Sequence, residues 1–169
     1  MLNGNRTRFD ALVHAYSADL YRYAYWLCRD RFTAEELVQE TFARAWTSLS
    51  SLREDGATKS WLYTILRNEN ARLWERKRLP VDEDQDLDAL ADQRLGGIPE
   101  AYELREALHA LPETYREPLL LQVLGGFTCE EIAEMMDLSS GAVMTRLSRA
   151  RLALRKQAPL PGAKAVEDE

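Results

Sequence analysis

The side chains best suited to recognising another molecule lie on one face of a predicted helix near the carboxyl end of the chain. At 100° per residue, this helix has an apolar stripe within about 60° of arc, formed by Val143, Leu147, Ala150 and Leu154. The side facing away carries hydroxyl and guanidinium groups, from Thr145, Ser148 and Arg149, with Arg146 and Arg151 on its flanks. Such groups donate hydrogen bonds to base edges and phosphate oxygens of DNA. The alternative is an ordinary amphipathic helix with a solvated charged face.

A second helix and a tight turn precede this one and would position it. Thr128 followed three residues later by Glu131 is a capping box, which predicts a helix start. Residues 137–141 break that helix, and either Ser139 or Ser140 can cap the next. Together these elements predict a helix-turn-helix whose second helix, with Ser140 and Gly141 at its start, lies in a DNA major groove.

Another candidate surface lies on a helix predicted over residues 59–78. Trp61, Asn68 and Arg72 lie at i, i+7 and i+11, within about 40° of one another, beside a buried apolar face. An aromatic ring can stack on bases while an amide and cations hold base edges and phosphates, so this combination suits a single nucleic-acid strand. A surface tryptophan that packs on its neighbours is the alternative. A loop, predicted over residues 50–58, precedes the helix.

Two further helices are predicted in the amino-terminal half. Apolar residues recur at helical spacing over residues 6–27. Thr33 and Glu36 form a second capping box, which predicts a helix through about Leu49. Its core stripe comprises Leu37, Val38, Thr41, Phe42, Ala45, Trp46 and Leu49. The residue pattern alone predicts that the opposite face, which carries Glu36, Gln39, Glu40 and Arg44, is solvated.

The net charge of −6 is distributed unevenly. Residues 1–79 hold 13 basic and 10 acidic side chains, whereas residues 80–100 hold seven acids against Arg94 alone. Residues 80–99 are acidic and finish with the sequence Gly-Gly-Ile-Pro at Gly96–Pro99. These features predict a linker without a stable fold of its own. Because few phosphates would be neutralised, we expect the free chain to bind DNA weakly.

Composition and spacing exclude several classes of protein. No apolar run approaches the ~18 residues of a membrane span, and the amino terminus lacks the apolar core of a secretory signal, so we expect a cytoplasmic location without membrane insertion. Two cysteines and two histidines offer no metal-ligand spacing. We find no phosphate-binding glycine loop and no nucleophile–base pair, so neither a cofactor, nor a metal, nor a catalytic residue is predicted.

The fold class predicted is all-α, with two small helical domains. The first covers residues 1–79 and the second residues 100–157, with the acidic linker between them and a disordered tail over residues 158–169. In the second domain, helices over residues 100–110 and 112–124, the latter opened by Pro112, precede the helix-turn-helix.

The chain resembles the extracytoplasmic-function sigma factors of bacterial RNA polymerase. Residues 34–46 (AEELVQETFARAW) and 60–68 (SWLYTILRN) are similar to segments of the family's region 2. Residues 111–121 (LPETYREPLLL) and 128–151 are similar to region 4. The resemblance runs over residues 6–157, in the family's order and with a linker in the family's place.

The resemblance implies roles for each predicted surface, and no catalytic role. Docking on core RNA polymerase, through its β′ clamp and β subunits, would involve Glu36, Leu37, Gln39, Glu40 and Phe42. Capture of the unpaired −10 strand would involve Arg53, Asp55, Gly56, Lys59, Trp61, Asn68 and Arg72. Reading of the −35 element would involve Ser140, Gly141, Thr145, Arg146, Ser148, Arg149 and Arg151. The resemblance also implies an anti-sigma factor that covers both domains.

Two departures from the family pattern bear on promoter choice. Met144 stands where the family usually has Lys or Arg, and Ala142 replaces a Thr. The family's usual −35 sequence is therefore not transferred to this chain. Thr64 stands where some members carry Arg, so the −10 preference is open too. A stand-alone helix-turn-helix regulator that binds duplex operators as a dimer is the alternative function, although it leaves residues 6–78 unexplained.

Overall fold

The computed structural model describes residues 2–52, 55–77 and 99–157. Every regular element in these ranges is helical, which confirms the all-α expectation. The chain divides into two compact units, residues 1–95 and 96–169. Of the linker predicted over residues 80–99, residues 80–98 lie outside the described residues, as do the predicted tail and Arg53, whereas Pro99 begins a helix.

The first unit contains three α-helices. They are α1 (Leu2–Cys28), α2 (Arg31–Ser48) and α3 (Thr58–Lys77), with 3-10 turns at Leu49–Ser51 and Asp55–Ala57 before α3. Each begins within four residues of its predicted start, because helical periodicity of apolar residues is a strong local signal.

The core of this unit forms where the apolar stripes of the three helices meet. Its fully or nearly fully buried side chains are Leu20, Tyr23, Ala24, Leu27, Ala34, Leu37, Ala45, Leu62, Tyr63 and Leu66. The Tyr23 and Tyr63 rings lie 5.1 Å apart between centroids, joining α1 to α3. Burial raises the pKa of Tyr63 to about 12, so the phenol stays neutral at physiological pH.

Trp46 differs from its prediction as a core residue. Its side chain is 42% exposed and packs edge-on against Phe9 of α1, with 5.1 Å between ring centroids. Phe9 also meets Phe42 edge-on at 6.2 Å. Trp46 therefore closes the rim of the α1–α2 contact, where a large aromatic ring covers apolar surface while one edge stays in solvent.

The predicted capping box at the start of α2 is wrong. Asp30, not Thr33, caps this helix: its carboxylate accepts hydrogen bonds from the backbone N–H groups of Phe32 (3.3 Å) and Thr33 (3.2 Å). The Thr33 hydroxyl donates to the same carboxylate, and its side chain is buried inside the first turn. Asp and Thr both cap helices well, so local sequence preference did not separate the two.

We predict that Asp30→Ala destabilises the protein by about 1 kcal/mol, because two backbone N–H groups of α2 lose their acceptor. Urea unfolding followed by circular dichroism measures the change. The matched control is Glu36→Ala, which removes the acid that the Thr33 capping box would have used and should cost at most a few tenths of that amount. An equal loss in both variants would contradict the assignment of Asp30 as the cap.

The second unit contains α4 (Pro99–Ala110), α5 (Glu113–Val123), α6 (Cys129–Met136) and α7 (Ser140–Gln157). Pro112 lies at the N-cap of α5 rather than in its first turn. The core is apolar, with Leu121, Ile132, Val143, Leu147 and Ala150 at most 2% exposed. Between α5 and α6, Gly126 has a φ of +70°, and a Cβ at Gly125 would lie 2.5 Å from the Phe127 ring. This turn therefore favours glycine at both positions.

Candidate nucleic-acid and partner interfaces

The starts of α6 and α7 are capped by side chains that the sequence identifies. Thr128 and Glu131 form the predicted capping box, with both reciprocal hydrogen bonds at 3.2 Å. Asp137 ends α6 in the left-handed region, at φ +56° and ψ +50°. Ser139 caps α7, because its hydroxyl oxygen accepts from the Ala142 N–H at 3.1 Å. The helix-turn-helix is therefore fixed locally at both ends of the turn.

The outward face of α7 presents hydroxyl and guanidinium groups to solvent. Val143, Leu147 and Ala150 are buried, and the opposite side exposes Thr145, Ser148 and Arg149, as predicted. The Thr145 hydroxyl donates to the Gly141 carbonyl at 3.0 Å. Within the described ranges, Arg149 has neither a hydrogen-bond nor an ion-pair partner, so its guanidinium is available to a ligand.

The two flanking arginines of α7 differ in their surroundings. Arg146 is half-buried, whereas Arg151 is exposed and donates a hydrogen bond to the Gln122 side chain of α5. Gln122 therefore draws the Arg151 guanidinium toward α5, a contact that the sequence did not reveal because 29 residues separate the pair. Of these three arginines, Arg149 is the one that lies on the outward face itself and not on its flank.

The surface of α3 brings the predicted ring, amide and cation onto one side of a single helix. Asn68 and Arg72 are exposed and Trp61 is half-buried beside the core. Asn68 thus presents its amide to solvent from a rigid helical position. Arg72 is also a neighbour of Glu69, to which its guanidinium donates at 3.2 Å.

Glu69 is a buried carboxylate that sequence reasoning missed. Its side chain is only 4% exposed and pairs with two guanidinium groups, from Arg44 of α2 and from Arg72 of α3. Arg44 in turn reaches Glu40 at 3.5 Å. A buried charge is tolerated when it is paired, so these ion pairs hold the interface between α2 and α3. They also connect the exposed acidic face of α2 with the side of α3 that carries Arg72.

The predicted docking face of α2 separates into exposed and buried members. Glu36, Gln39 and Glu40 are exposed and form a contiguous polar face. Leu37 and Phe42, predicted as contact residues, are 3% and 8% exposed and lie in the core. That part of the prediction is corrected. In a helix with 3.6 residues per turn, Glu36, Gln39 and Glu40 face solvent, whereas Leu37 and Phe42 face the core and pack beneath the polar face.

The segment before α3 is described in part. The backbone of Asp55 and Gly56 forms a 3-10 turn, Gly56 is exposed, and Lys59 is half-buried in the first turn of α3. Among the residues with described side chains, no group of three or more His, Cys, Asp or Glu residues could hold a metal ion. No helix found in those ranges has the length and apolar character to cross a membrane.

Comparison with known proteins identifies relatives of both units. Residues 12–79 match the family model of sigma-70 region 2, and residues 101–154 match that of sigma-70 region 4. The RNA polymerase sigma-H factor of Pseudomonas aeruginosa is 33% identical, over 90% of this chain and 87% of that protein. The ECF RNA polymerase sigma-E factor of Haemophilus influenzae is 30% identical, over 88% and 86%. The sigma factor RpoE of Bartonella quintana, solved in complex with the anti-sigma factor NepR, is 26% identical and aligns with a TM-score of 0.68 over 90% of this chain and 94% of that chain.

Proposed function

Because the chain belongs to the extracytoplasmic-function group of the sigma-70 family of RNA polymerase sigma factors, we propose that it directs core polymerase to promoters by reading DNA at two points. The observation that carries this proposal is the presence in one chain of two helical units with different recognition surfaces. One unit exposes an amide and cations on α3, and the other exposes a basic helix-turn-helix. A stand-alone operator binder would need only the second.

The polymerase contact is assigned to the acidic face of α2. Glu36, Gln39 and Glu40 present carboxylates and an amide that suit a basic, hydrogen-bonding partner surface, here the β′ clamp, and the β subunit completes the contact. Rim charges of this kind steer encounter and fix the register of binding. Leu37 and Phe42 keep the face rigid from inside the core.

The −10 contact is assigned to α3 and the turn before it. Asn68 hydrogen-bonds an extruded base of the non-paired strand, Trp61 and Lys59 border it, and Arg72 faces the backbone phosphates. Extruding a base costs a few kcal/mol of unstacking and unpairing, so a preformed rigid surface favours the opened state. The same proposed contact includes Arg53, Asp55 and Gly56, because these residues belong to the segment immediately before α3.

The −35 contact is assigned to the start and outward face of α7. Residues at the amino end of a recognition helix contact base edges, and N–H groups there attract phosphate. Ser140, Gly141, Thr145 and Ser148 lie on that part of the helix, and Arg149 supplies an unpaired fork for bidentate contact. Arg146 and Arg151 border the same surface.

Gly141→Ala separates stability from DNA contact at the start of α7. A Cβ there meets no atom within 4 Å, so alanine should stabilise the helix by about 0.5–1 kcal/mol through its higher helix propensity. If the backbone approaches DNA closely, the same methyl group should weaken promoter binding. Urea unfolding and promoter binding by holoenzyme are measured together. Gly4→Ala in α1, where a Cβ also meets nothing, is the matched control and should leave promoter binding unchanged. Unchanged promoter binding by Gly141→Ala would contradict the close approach.

Regulation by an anti-sigma factor is part of the proposal. The solved relative RpoE was captured with such a partner, NepR, and aligns with most of this chain. A partner that covers the α2 face and α7 would block polymerase and DNA at once. Purification of the protein from its native cell tests this, since recovery with polymerase subunits alone would argue against such a partner.

The proposed role assigns no catalytic step, cofactor or metal to this chain, since RNA synthesis belongs to the core enzyme. We place the protein in the cytoplasm, where that enzyme works. Adding purified protein to sigma-free core polymerase, with a library of genomic fragments as template, tests the function. Selection of promoters above the level of core alone is expected, and no selection would overturn the proposal.

A further inference from the structure

An exposed apolar side chain interrupts the polar surface of α7. Met144 is 58% exposed and lies in the second turn of the helix, between the buried Val143 and the exposed Thr145. At 100° per residue it is about 40° from Ser148, so both project from one side. A single exposed methionine needs no explanation on an ordinary surface. This one lies among the amino-terminal residues of a recognition helix, which are the residues that face base edges.

The neighbouring hydroxyl strengthens the apolar character of this spot. Because Thr145 donates its hydroxyl proton to the Gly141 carbonyl, its methyl group and an acceptor lone pair are what it offers outward. Neither Met144 nor Thr145 therefore provides a free donor for the N7 or O6 acceptors of guanine. In the major groove, the apolar group on a base edge is the 5-methyl group of thymine.

We propose that Met144 is a specificity-determining residue that reads the 5-methyl group of a thymine in the upstream promoter element. This inference rests on the proposed function, since it requires α7 to enter the major groove. Buried against the thioether and the Thr145 methyl, one methyl group contributes about a fourfold preference over the same base without it. A guanine at that position leaves its acceptors desolvated opposite an apolar side chain, which disfavours it further.

The test pairs a protein change with a DNA change that removes only the methyl group. Holoenzymes carrying wild-type protein or Met144→Ala first select promoters from a library randomised in the upstream element. The wild type is expected to select a thymine at one position where Met144→Ala shows no preference. At that position, replacing thymine by deoxyuridine should weaken wild-type binding about fourfold and leave Met144→Ala unaffected.

Two variants control for folding and for nonspecific apolar contact. Met144→Leu keeps an apolar side chain and should retain sensitivity to deoxyuridine. Leu152→Ala removes another exposed apolar side chain, 52% exposed but two turns further along α7, and should leave the thymine preference unchanged. Unfolding curves of all variants should overlay that of the wild type, because the substituted side chains are exposed.

The outcomes separate this inference from the function on which it rests. If promoters are selected but Met144→Ala keeps the wild-type upstream sequence or the same deoxyuridine sensitivity, the methyl-reading role is overturned and the promoter function stands. If wild-type holoenzyme selects nothing above core alone, the promoter function itself fails.

Discussion

Asn68→Ala is expected to reduce promoter opening by roughly 5- to 150-fold, corresponding to about 1–3 kcal/mol for a bidentate amide–base contact. The Asn68 amide is exposed on α3, so its removal leaves folding intact. Permanganate footprinting of the opened strand, together with core-binding titration, measures the two functions separately. Core binding should be unchanged, because the proposed docking face lies on α2.

Two further variants make this prediction specific. Asn68→Asp preserves the size of the side chain but replaces an N–H donor group by a negative oxygen, so it should lose at least as much opening as Asn68→Ala. Asn5→Ala removes another exposed amide, on α1, and should behave as the wild type. Equal losses of core binding and opening in Asn68→Ala would refute the assignment of a base contact.

Arg149→Ala is expected to weaken activity that depends on the upstream element by about 1–3 kcal/mol, or 5- to 150-fold. The guanidinium of Arg149 has no partner in the described part of the chain, so its removal breaks no internal contact. Transcription from matched templates with and without the upstream element measures the effect.

Arg149→Lys distinguishes a base contact from a phosphate contact. Lysine keeps the charge but lacks the planar fork, so a base-reading arginine would lose sequence preference while the dependence on salt is preserved. Arg155→Ala removes an exposed arginine near the carboxyl end of α7 and should have a much smaller effect. Unchanged promoter choice and strength in Arg149→Ala would remove this residue from the interface.

The features predicted correctly from sequence are those that short-range physics determines. The start of α6 depends on Thr128 and Glu131 and the start of α7 on Ser139, each acting on a backbone group three residues away. The outward direction of Asn68 and Arg149 follows from the apolar stripes beside them, because a helix of regular period leaves one side for solvent.

The features missed depend on contacts between helices. Glu69 looks like an exposed acid in sequence, and only the approach of α2 brings Arg44 onto it. Leu37 and Phe42 belong to a segment that resembles a docking region, but family resemblance identifies a segment and not the side of the helix that a partner meets. The capping box predicted at Thr33 was wrong because Asp and Thr both stabilise helix starts, and in the folded chain Asp30 is the cap while Thr33 is buried within the first turn.

The central claim is that the chain reads promoters at two points only as part of the polymerase. Selection from a randomised duplex library, by holoenzyme and by the free protein in parallel at physiological salt, tests it most directly. The claim predicts that holoenzyme enriches two separate sequence blocks, one lost in Asn68→Ala and the other altered in Arg149→Ala, while the free protein enriches neither. Tight binding of a single palindromic block by the free protein, with no second block in holoenzyme, would contradict it and identify a stand-alone operator binder.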